Sequence, residues 1–234
     1  MLAVDGIRAG YGRTTVLHGL SLTVEDGDMV AVLGRNGVGK STLLKAMVGA
    51  VPVTSGTIRL GERDLTRTRT HQRARAGIAY VPQGRDIFPG LTVLDNLRVA
   101  AYGTRPRAWS QALEQVLEEF PVLHTKRAER GGGLSGGQQQ ILALGRALMT
   151  NPQVLLLDEP SEGIQPSIVD QIAETVCRIN SERGITVVLV EQNLDFATKI
   201  ARHAYLMDKG EIVRDLPARN LLGDRALQHE FLGV

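Results

Sequence analysis

The sequence predicts an α/β protein with a mixed, mainly parallel sheet, an N-terminal antiparallel β-subdomain and an inserted α-helical subdomain. Strands buried on both faces form continuous hydrophobic stretches, and three such runs occur, at residues 29–33, 154–157 and 185–190. A glycine loop and a helix-forming segment follow the first run, and an acidic residue follows each of the others. We therefore place one domain over residues 2–234, with its core at about 2–84 and 151–234 and the helical insertion at about 85–150.

The composition is typical of a globular protein. Of the 234 residues, 43% are hydrophobic and 22% are charged, and the net charge is only +2, which by itself does not indicate nucleic-acid binding. No apolar run approaches the roughly 20 residues of a membrane helix. The first residues lack the basic and apolar regions of a signal peptide, so we expect a cytosolic setting. We expect the single Cys177 to be a packing residue rather than a nucleophile.

The N-terminal sixty residues are predicted to be mainly β-structure. Residues 2–4, 20–24 and 56–60 alternate or carry β-branched side chains, and Gly and Asp stand between them. Tyr11 lies between two glycines. We place it in a loop, where its ring is available to stack on a base.

The segment 34–41 fits the phosphate-loop pattern G-x-x-x-x-G-K-[ST]. An apolar strand precedes it and a helix-forming segment follows, which is the context of a P-loop NTPase core and disfavours an ordinary glycine-rich turn. Lys40 is expected to reach the β- and γ-phosphates, and the Ser41 hydroxyl to bind Mg²⁺. The helix adds its positive N-terminal end. The predicted nucleotide-binding residues are Gly34, Arg35, Asn36, Gly37, Val38, Gly39, Lys40, Ser41 and Thr42.

A cluster of arginines follows the N-terminal strands and has two interpretations, a nucleic-acid patch or a solvated helix face. Its members are Arg63, Arg67, Arg69, Arg73 and Arg75. No aromatic residues interleave with them, as stacking on bases would require. We therefore predict a solvated helix face and no nucleic-acid partner.

The predicted insertion begins after a short strand at 78–81, which Pro82 ends before Gln83. Apolar spacing predicts helices near 93–101 and 113–120. A second glycine loop closes the insertion, and a helix follows it at once. This arrangement favours a second anion-binding helix N-terminus at Ser135 over a flexible linker.

Asp158 and Glu159 follow a buried strand, and ligands of parallel sheets bind at the carboxyl ends of strands. We expect Asp158 to meet the Mg²⁺ held by Ser41 and Glu159 to polarise an attacking water. Surface charges at a strand end are the alternative. Farther along, the pattern predicts a turn at 161–166, a helix to about 182, a strand at 185–190, a hairpin at 206–213 and a helical tail from about 217.

Together these motifs resemble the nucleotide-binding subunit of an ATP-binding-cassette (ABC) transporter over essentially the whole chain. The family signature is matched by Leu134, Ser135, Gly136, Gly137 and Gln138. The resemblance implies ATP and Mg²⁺, with Tyr11 stacking on adenine, Gln83 near Mg²⁺ and water, and Glu159 as general base. It also implies that two subunits pack head to tail, so that the Ser135 segment of one acts in trans on the ATP of the other.

Two positions depart from the family pattern. Gln192 stands where the family usually has a histidine that contacts the γ-phosphate, and Gln165 stands where it usually has an aspartate. A glutamine donates a hydrogen bond but carries no positive charge near neutral pH. The resemblance therefore makes Gln192 a candidate catalytic residue and leaves homodimer and heterodimer both open.

Residues 81–89, 162–166 and 191–193 resemble the importers of branched-chain amino acids, amides and urea, and residues 83–85 and 162–166 are closest to the urea type. The resemblance implies transmembrane permease subunits, a second ATP-binding subunit and, indirectly, a substrate-binding protein. It places the chain at the cytoplasmic face of the membrane as a peripheral subunit.

Three other functions remain for comparison. A soluble ABC ATPase of DNA repair or translation usually carries coiled-coil insertions or two cassettes, for which 234 residues leave no room. A GTPase is disfavoured because no N-K-x-D motif occurs. An ATP-binding subunit that hydrolyses weakly is the third, and it is favoured by Gln192 and disfavoured by Glu159.

Overall fold

The computed structural model describes residues 1–102 and 109–232 and arranges them as two sheets and a group of helices. The final residues of the predicted domain, 233–234, lie outside the described part. The strands are β1 (Leu2–Tyr11), β2 (Thr14–Val24), β3 (Met29–Leu33), β4 (Val53–Leu60), β5 (Arg63–Asp64), β6 (Ile78–Val81), β7 (Val154–Asp158), β8 (Thr186–Glu191), β9 (His203–Asp208) and β10 (Glu211–Pro217). The helices are α1 (Lys40–Met47), α2 (Thr70–Arg75), α3 (Val93–Ala101), α4 (Trp109–Glu119), α5 (Pro121–Thr125), α6 (Gly136–Leu148), α7 (Pro166–Arg183), α8 (Leu194–Ile200) and α9 (Arg225–Leu227).

The larger sheet has six strands in the order β10-β9-β3-β8-β7-β6, and only β10 runs antiparallel to its neighbour. This arrangement confirms the predicted mixed, mainly parallel sheet. In register, Leu33 pairs with Glu191 and Asp158 pairs with Val190. The carboxyl ends of the central strands therefore meet at one edge of the sheet, as the sequence predicted.

Alternate residues of the central strands face two different apolar layers, because successive side chains of a strand point to opposite faces. Ala31, Leu157 and Leu189 pack on the side of α6, α7 and α8. Val32 and Val190 pack on the side of α1 and the smaller sheet. The six-stranded sheet is thus buried on both faces, which explains its continuous apolar sequence.

The smaller sheet is antiparallel, with strand order β2-β1-β4-β5, and confirms the predicted N-terminal β-subdomain. The expectation that Tyr11 lies in a loop is wrong. Tyr11 is the last residue of β1 and pairs with Thr14, because the strand continues through Gly10 to the hairpin turn. The residue is 51% exposed.

The region predicted as a helical insertion contains α3, α4, α5 and α6, and its apolar core is continuous with that of the six-stranded sheet. Gly145 lies where α6 meets the neighbouring helices, since a Cβ there would come within 2.9 Å of Leu123 and 3.1 Å of Val116. Helix α6 therefore joins the helices to the sheet. The subdomain boundaries at 85 and 150 stay a prediction.

Arg73 corrects the interpretation of the arginine cluster as a solvated helix face. It is 2% exposed, and its guanidinium donates to the carbonyl oxygens of Ala46, Met47, Thr66 and Thr68 at 2.6–3.2 Å. Two of those carbonyls belong to the last turn of α1, where orphan acceptors need donors. Arg63, Arg67, Arg69 and Arg75 do lie at or near the surface.

The C-terminal half largely follows the predicted pattern. Helix α7 ends at Gly184, whose φ of +65° requires the left-handed region that glycine adopts readily, and β9 and β10 form the predicted hairpin. The tail forms short helical turns rather than one helix. Within residues 1–102 and 109–232, no helix combines the length and apolarity needed to cross a membrane.

Candidate nucleotide-binding site

The phosphate loop connects β3 to α1, and two of its glycines have positive φ. Gly37 has φ +85° and open space around its Cα, and Gly39 has φ +112° as the residue that caps α1. A Cβ on Gly39 would lie 2.9 Å from the Cε atom of Met207. A larger residue at either position would strain the backbone, so these two glycines shape the loop.

Lys40 is the best-buried cation of the loop, with 4% of its surface exposed. Its ammonium group donates to the carbonyl oxygens of Gly34 at 2.8 Å and Arg35 at 3.2 Å. It also lies 3.2 Å from Oε1 of Glu159, which is itself mostly buried. The loop thus holds the lysine and the predicted general base side by side.

Ser41 and Asp158 meet across 117 residues of sequence, as predicted. The Ser41 hydroxyl donates to Oδ1 of Asp158 at 2.8 Å. The other carboxylate oxygen, Oδ2, accepts a 2.7 Å hydrogen bond from the hydroxyl of Tyr80 on β6. Asp158 is 1% exposed, so these two hydroxyl groups fix its orientation.

Tyr80 is a site residue that the sequence reasoning missed. Burial and the neighbouring Asp158 carboxylate raise the pKa of Tyr80 far above its usual range, so its hydroxyl stays protonated and can donate at working pH. The feature of the sequence that could have identified Tyr80 is a lone tyrosine in a short apolar strand, two residues before Pro82.

Glu159 follows β7 directly in the left-handed region, with φ +45°. Its amide donates to the carbonyl of Val190 at 3.0 Å, which fixes the turn against β8. The Gln83 side-chain amide donates to Glu159 at 3.3 Å and to Glu162 at 2.8 Å. Gln83 therefore contacts the predicted base, and Glu162 is a second carboxylate that the sequence reasoning missed.

These side chains surround a cavity of about 360 Å³. It is lined by Val16, Asn36, Gly37, Gly39, Lys40, Ser41, Thr42, Gln83 and Glu159. All but Val16 are predicted site residues. A nucleoside triphosphate requires groups that this polar cavity provides. They are two glycines of positive φ, a lysine, two hydroxyl groups and a carboxylate.

Other predicted residues are not among those that line the cavity. Gln192 comes directly after β8, and its backbone N–H donates to the side chain of Glu191. The guanidinium of Arg35 donates to the carbonyl of His229 at 2.8 Å, so this side chain is directed to the C-terminal turns. The carbonyl of Val38 accepts from Gly210 of the β9–β10 hairpin at 2.9 Å, which anchors the phosphate loop. Tyr11 ends β1 at the surface.

The signature segment forms the N-terminus of α6, apart from this cavity. Ser135 is the N-cap, and its side chain and that of Gln138 each accept from the other's backbone amide, at 3.4 Å and 3.1 Å. Leu134 is buried. A Cβ on Gly136 would lie 3.0 Å from the Arg85 guanidinium, and one on Gly137 would lie 2.7 Å from Ile168. The predicted helix N-terminus is confirmed. Close packing against Arg85 and Ile168 gives a second physical reason why glycine, with no Cβ, occupies both positions.

Comparisons with known proteins agree with this geometry. Residues 17–162 match the family model described as ABC transporter. The chain is 41% identical over 233 residues to the high-affinity branched-chain amino acid transport ATP-binding protein BraG of Pseudomonas aeruginosa, with 100% of both chains covered. It is 32% identical over 236 residues to the lipopolysaccharide export system ATP-binding protein LptB of Escherichia coli K12, covering 99% of this chain and 97% of LptB.

Solved structures share the fold. The ADP conformation of MJ1267, an ATP-binding cassette of an ABC transporter, matches with a TM-score of 0.83 and 28% identity over 96% of this chain and 95% of that one. The dimeric structure of MJ0796, a bacterial ABC transporter cassette, has a TM-score of 0.83 at 23% identity, covering 94% of this chain and 99% of that one. The chain therefore belongs to the ABC transporter family, as one of its ATP-binding subunits and an ATPase.

Proposed function

We propose that this chain hydrolyses ATP in the cavity around Lys40, Ser41, Asp158 and Glu159, and that it powers an importer of small organic solutes. The observation that carries the site assignment is the pairing of Lys40 with Glu159 at 3.2 Å, beside the Ser41–Asp158 hydrogen bond at 2.8 Å. A lysine, a hydroxyl and two carboxylates are the side chains that phosphoryl transfer from a nucleotide uses.

The residues present also fit Mg²⁺. The Ser41 hydroxyl and an Asp158 oxygen already lie within hydrogen-bond distance, and hard oxygen donors of this kind suit Mg²⁺. Gln83, which lines the same cavity, offers a further amide oxygen. When bound there, Mg²⁺ would neutralise charge on the phosphate oxygens.

Glu159 is the proposed general base. A bound phosphate group would compete with Glu159 for the Lys40 ammonium group. The Glu159 carboxylate would then be able to accept a proton from water. The water oxygen then forms a bond to the γ-phosphorus as the bond to the β,γ-bridging oxygen breaks. The backbone amides of the phosphate loop and Lys40 offset the negative charge that develops.

Two glutamines complete the proposed centre. Gln83 contacts Glu159 and Glu162, so it is placed to orient water near the base. Gln192, at the end of β8, would contact the γ-phosphate as a neutral donor. A site that binds ATP and hydrolyses it weakly without a different partner subunit is the second candidate, and the absence of a charge on Gln192 favours it.

A dimer gives the Ser135 segment a role. Its helix N-terminus carries backbone amides and a hydroxyl suited to an anion, yet Ser135 stands exposed and outside the residues that line the cavity. We infer head-to-tail packing with a second ATP-binding subunit, so that the segment Leu134–Gln138 reaches ATP in trans. MJ0796, which shares the fold, is described as dimeric.

The proposed transport partner is a membrane-embedded permease, which would hold this chain at the cytoplasmic face. Four of the large apolar side chains that stand exposed in the described residues, Phe88, Leu91, Val99 and Tyr102, fall within fifteen residues of sequence on the helical side. Contiguous exposed apolar patches mark interaction surfaces, and we propose that these side chains face the permease. The match to BraG supports branched-chain amino acids as cargo, while urea and short amides rest on residues 83–85 and 162–166, and a substrate-binding protein would deliver the solute.

ATP hydrolysis by the purified chain tests the catalytic assignment. We expect a specific rate that rises with protein concentration and falls by about a hundredfold or more in Glu159→Gln, which should still bind ATP. Equal rates in the two proteins would contradict Glu159 as the base. A background rate at every concentration, with ATP bound, would support the second candidate.

Solute uptake tests the transport assignment separately. Deleting the gene from its host should abolish the uptake of radiolabelled leucine or of urea, and the solute that loses its uptake identifies the cargo. Complementation with the Glu159→Gln variant should fail. Unchanged uptake of leucine, an amide and urea, together with normal hydrolysis in vitro, would favour a soluble ABC ATPase or an exporter such as the LptB relative.

A further inference from the structure

Glu191 is a buried carboxylate to which no role has yet been given. It is the last residue of β8 and is 2% exposed. A buried carboxylate is costly unless every oxygen is hydrogen-bonded, and here both are. Oε1 accepts from the amide of Ser161 at 3.0 Å and from its hydroxyl at 2.6 Å, and Oε2 accepts from the amides of Gln192 and Asn193, each at 3.0 Å.

The two oxygens of this one side chain bind two different turns. Oε1 holds the turn after β7, in which Ser161 lies two residues beyond Glu159. Oε2 holds the turn after β8, in which Gln192 is the first residue. The turns therefore share a rigid connection at the strand ends, next to the cavity.

We propose that Glu191 is a positioning residue that couples the Ser161 turn to the Gln192 turn, and so fixes Glu159 and Gln192 relative to each other during ATP hydrolysis. This inference rests on the proposed hydrolysis at Glu159. Glu191 touches neither ATP nor water in this scheme, and it acts through the backbone of both turns.

The chemistry requires a carboxylate rather than an amide. All four groups that face Glu191 are donors, three N–H groups and one hydroxyl. An ionised carboxylate offers only acceptors, whereas a glutamine would turn its NH₂ group towards the donors of one turn. Burial raises the pKa of Glu191, and the four hydrogen bonds partly oppose that rise. The substitution Glu191→Gln keeps the size and disrupts one turn.

Steady-state kinetics provide the first test, with Glu182→Gln as a control at an exposed position of α7. We expect Glu191→Gln to lower kcat by about tenfold or more while KM for ATP changes by less than about threefold, since transition-state geometry is lost and ground-state binding is kept. Ser161→Ala, which removes one of the four donors, should lower kcat less. A kcat for Glu191→Gln equal to that of Glu182→Gln, in a protein whose Glu159→Gln variant is inactive, would overturn the inference.

Amide hydrogen exchange provides a second test that does not depend on activity. In the wild type, the amides of Ser161, Gln192 and Asn193 are hydrogen-bonded to Glu191. Exchange in one or both turns should become about tenfold faster in Glu191→Gln, while the β7 and β8 amides stay protected. Unchanged exchange in both turns would overturn the coupling even if hydrolysis itself were absent, and the Ser161→Ala variant supplies the same readout if Glu191→Gln does not fold.

Discussion

The chain contains two glycine loops that each lead into a helix, and they are built differently. At α1 the cap is Gly39, with no side chain to satisfy the helix amides, and the next two side chains bind the carboxylates of Asp158 and Glu159. At α6 the cap is Ser135, whose hydroxyl accepts from its own helix at Gln138. The first loop is tied to the strand ends, and the second stands exposed on the helical side.

Under the proposed function, this difference divides the recognition of one nucleotide between two subunits. The first loop holds Lys40 and Ser41 beside the carboxylates of Glu159 and Asp158, so the side chains proposed to bind phosphate and Mg²⁺ come from this chain. The second loop has a finished helix cap and lies outside the residues that line the cavity, and we propose that it acts on the nucleotide of a second subunit.

Mixing two inactive variants tests whether the two loops complete each other across a dimer. Ser135→Arg blocks the second loop and Glu159→Gln removes the base of the first. We expect each variant alone to hydrolyse ATP at background. An equal mixture should recover up to about a quarter of the wild-type rate, since half the dimers are mixed and each of these holds one intact site. Hydrolysis by the mixture would be measured against both variants alone.

A mixture that stays at background, while the wild type hydrolyses ATP, would contradict the division between the loops. Ser135→Ala serves as the control for the lost cap, which costs about 1 kcal/mol of stability. The thermal midpoints of Ser135→Ala and Ser135→Arg should therefore be similar.

Arg73→Met tests whether Arg73 stabilises α1, the helix that follows the first loop, at its C-terminal end. The guanidinium satisfies two carbonyls of the last helical turn and two carbonyls before α2. Because the substitution leaves these buried acceptors without a donor, we expect a loss of about 2–4 kcal/mol in the free energy of unfolding. Urea denaturation would measure it. Arg75→Met, an exposed position of the same helix, should change the stability by less than about 0.5 kcal/mol, and equal losses would contradict the structural role of Arg73.

Gly137→Ala tests the packing of the second loop. The new methyl group would lie 2.7 Å from Ile168, so α6 must shift against α7. We expect a loss of about 1–3 kcal/mol in stability from overpacking, together with a lower kcat and an unchanged affinity of the isolated subunit for ATP, because the first loop is untouched. Gly133→Ala is the matched control, since nothing lies within 4 Å of its Cβ position. A weaker affinity for ATP in Gly137→Ala would mean that the two loops are not separate.

Tyr80→Phe tests the hydrogen bond from Tyr80 on β6 to Asp158. Losing the 2.7 Å hydrogen bond to Oδ2 should cost about 1 kcal/mol and raise the Mg²⁺ concentration needed for half-maximal hydrolysis by a few fold. A Mg²⁺ titration and a denaturation curve would measure both. Unchanged values would show that Ser41 alone orients the carboxylate.

The same variant carries a pH prediction. The pKa of Tyr80 is raised in the folded protein from an ordinary value near 10. Above that pH the unfolded chain loses the tyrosine proton and the folded chain keeps it. Stability therefore falls as pH rises beyond about 10, and it should fall less steeply in Tyr80→Phe. Tyr205, whose pKa is also raised by burial, is present in both proteins, and parallel curves would contradict the assignment to Tyr80.

The features that could be predicted before the structure are local in the chain. The phosphate loop, the Ser135 helix start and the acidic end of β7 are contiguous patterns, and their residue types fix turn conformation, capping and charge. The apolar runs determined a parallel sheet, and parallel strands necessarily bring their carboxyl ends to one edge. That rule was enough to predict that Ser41 meets Asp158 from 117 residues away.

Which isolated polar residues become buried partners depends on how distant elements pack together. Arg73 looked like any other arginine of its cluster, Tyr80 like a strand residue and Glu191 like a strand end. Their roles come from acceptors or donors that other elements supply: the end of α1, the end of β7 and the turn at Ser161. A single sequence gives no sign of such a partner, because burial depends on which elements pack together and not on the residue's own neighbours in the chain.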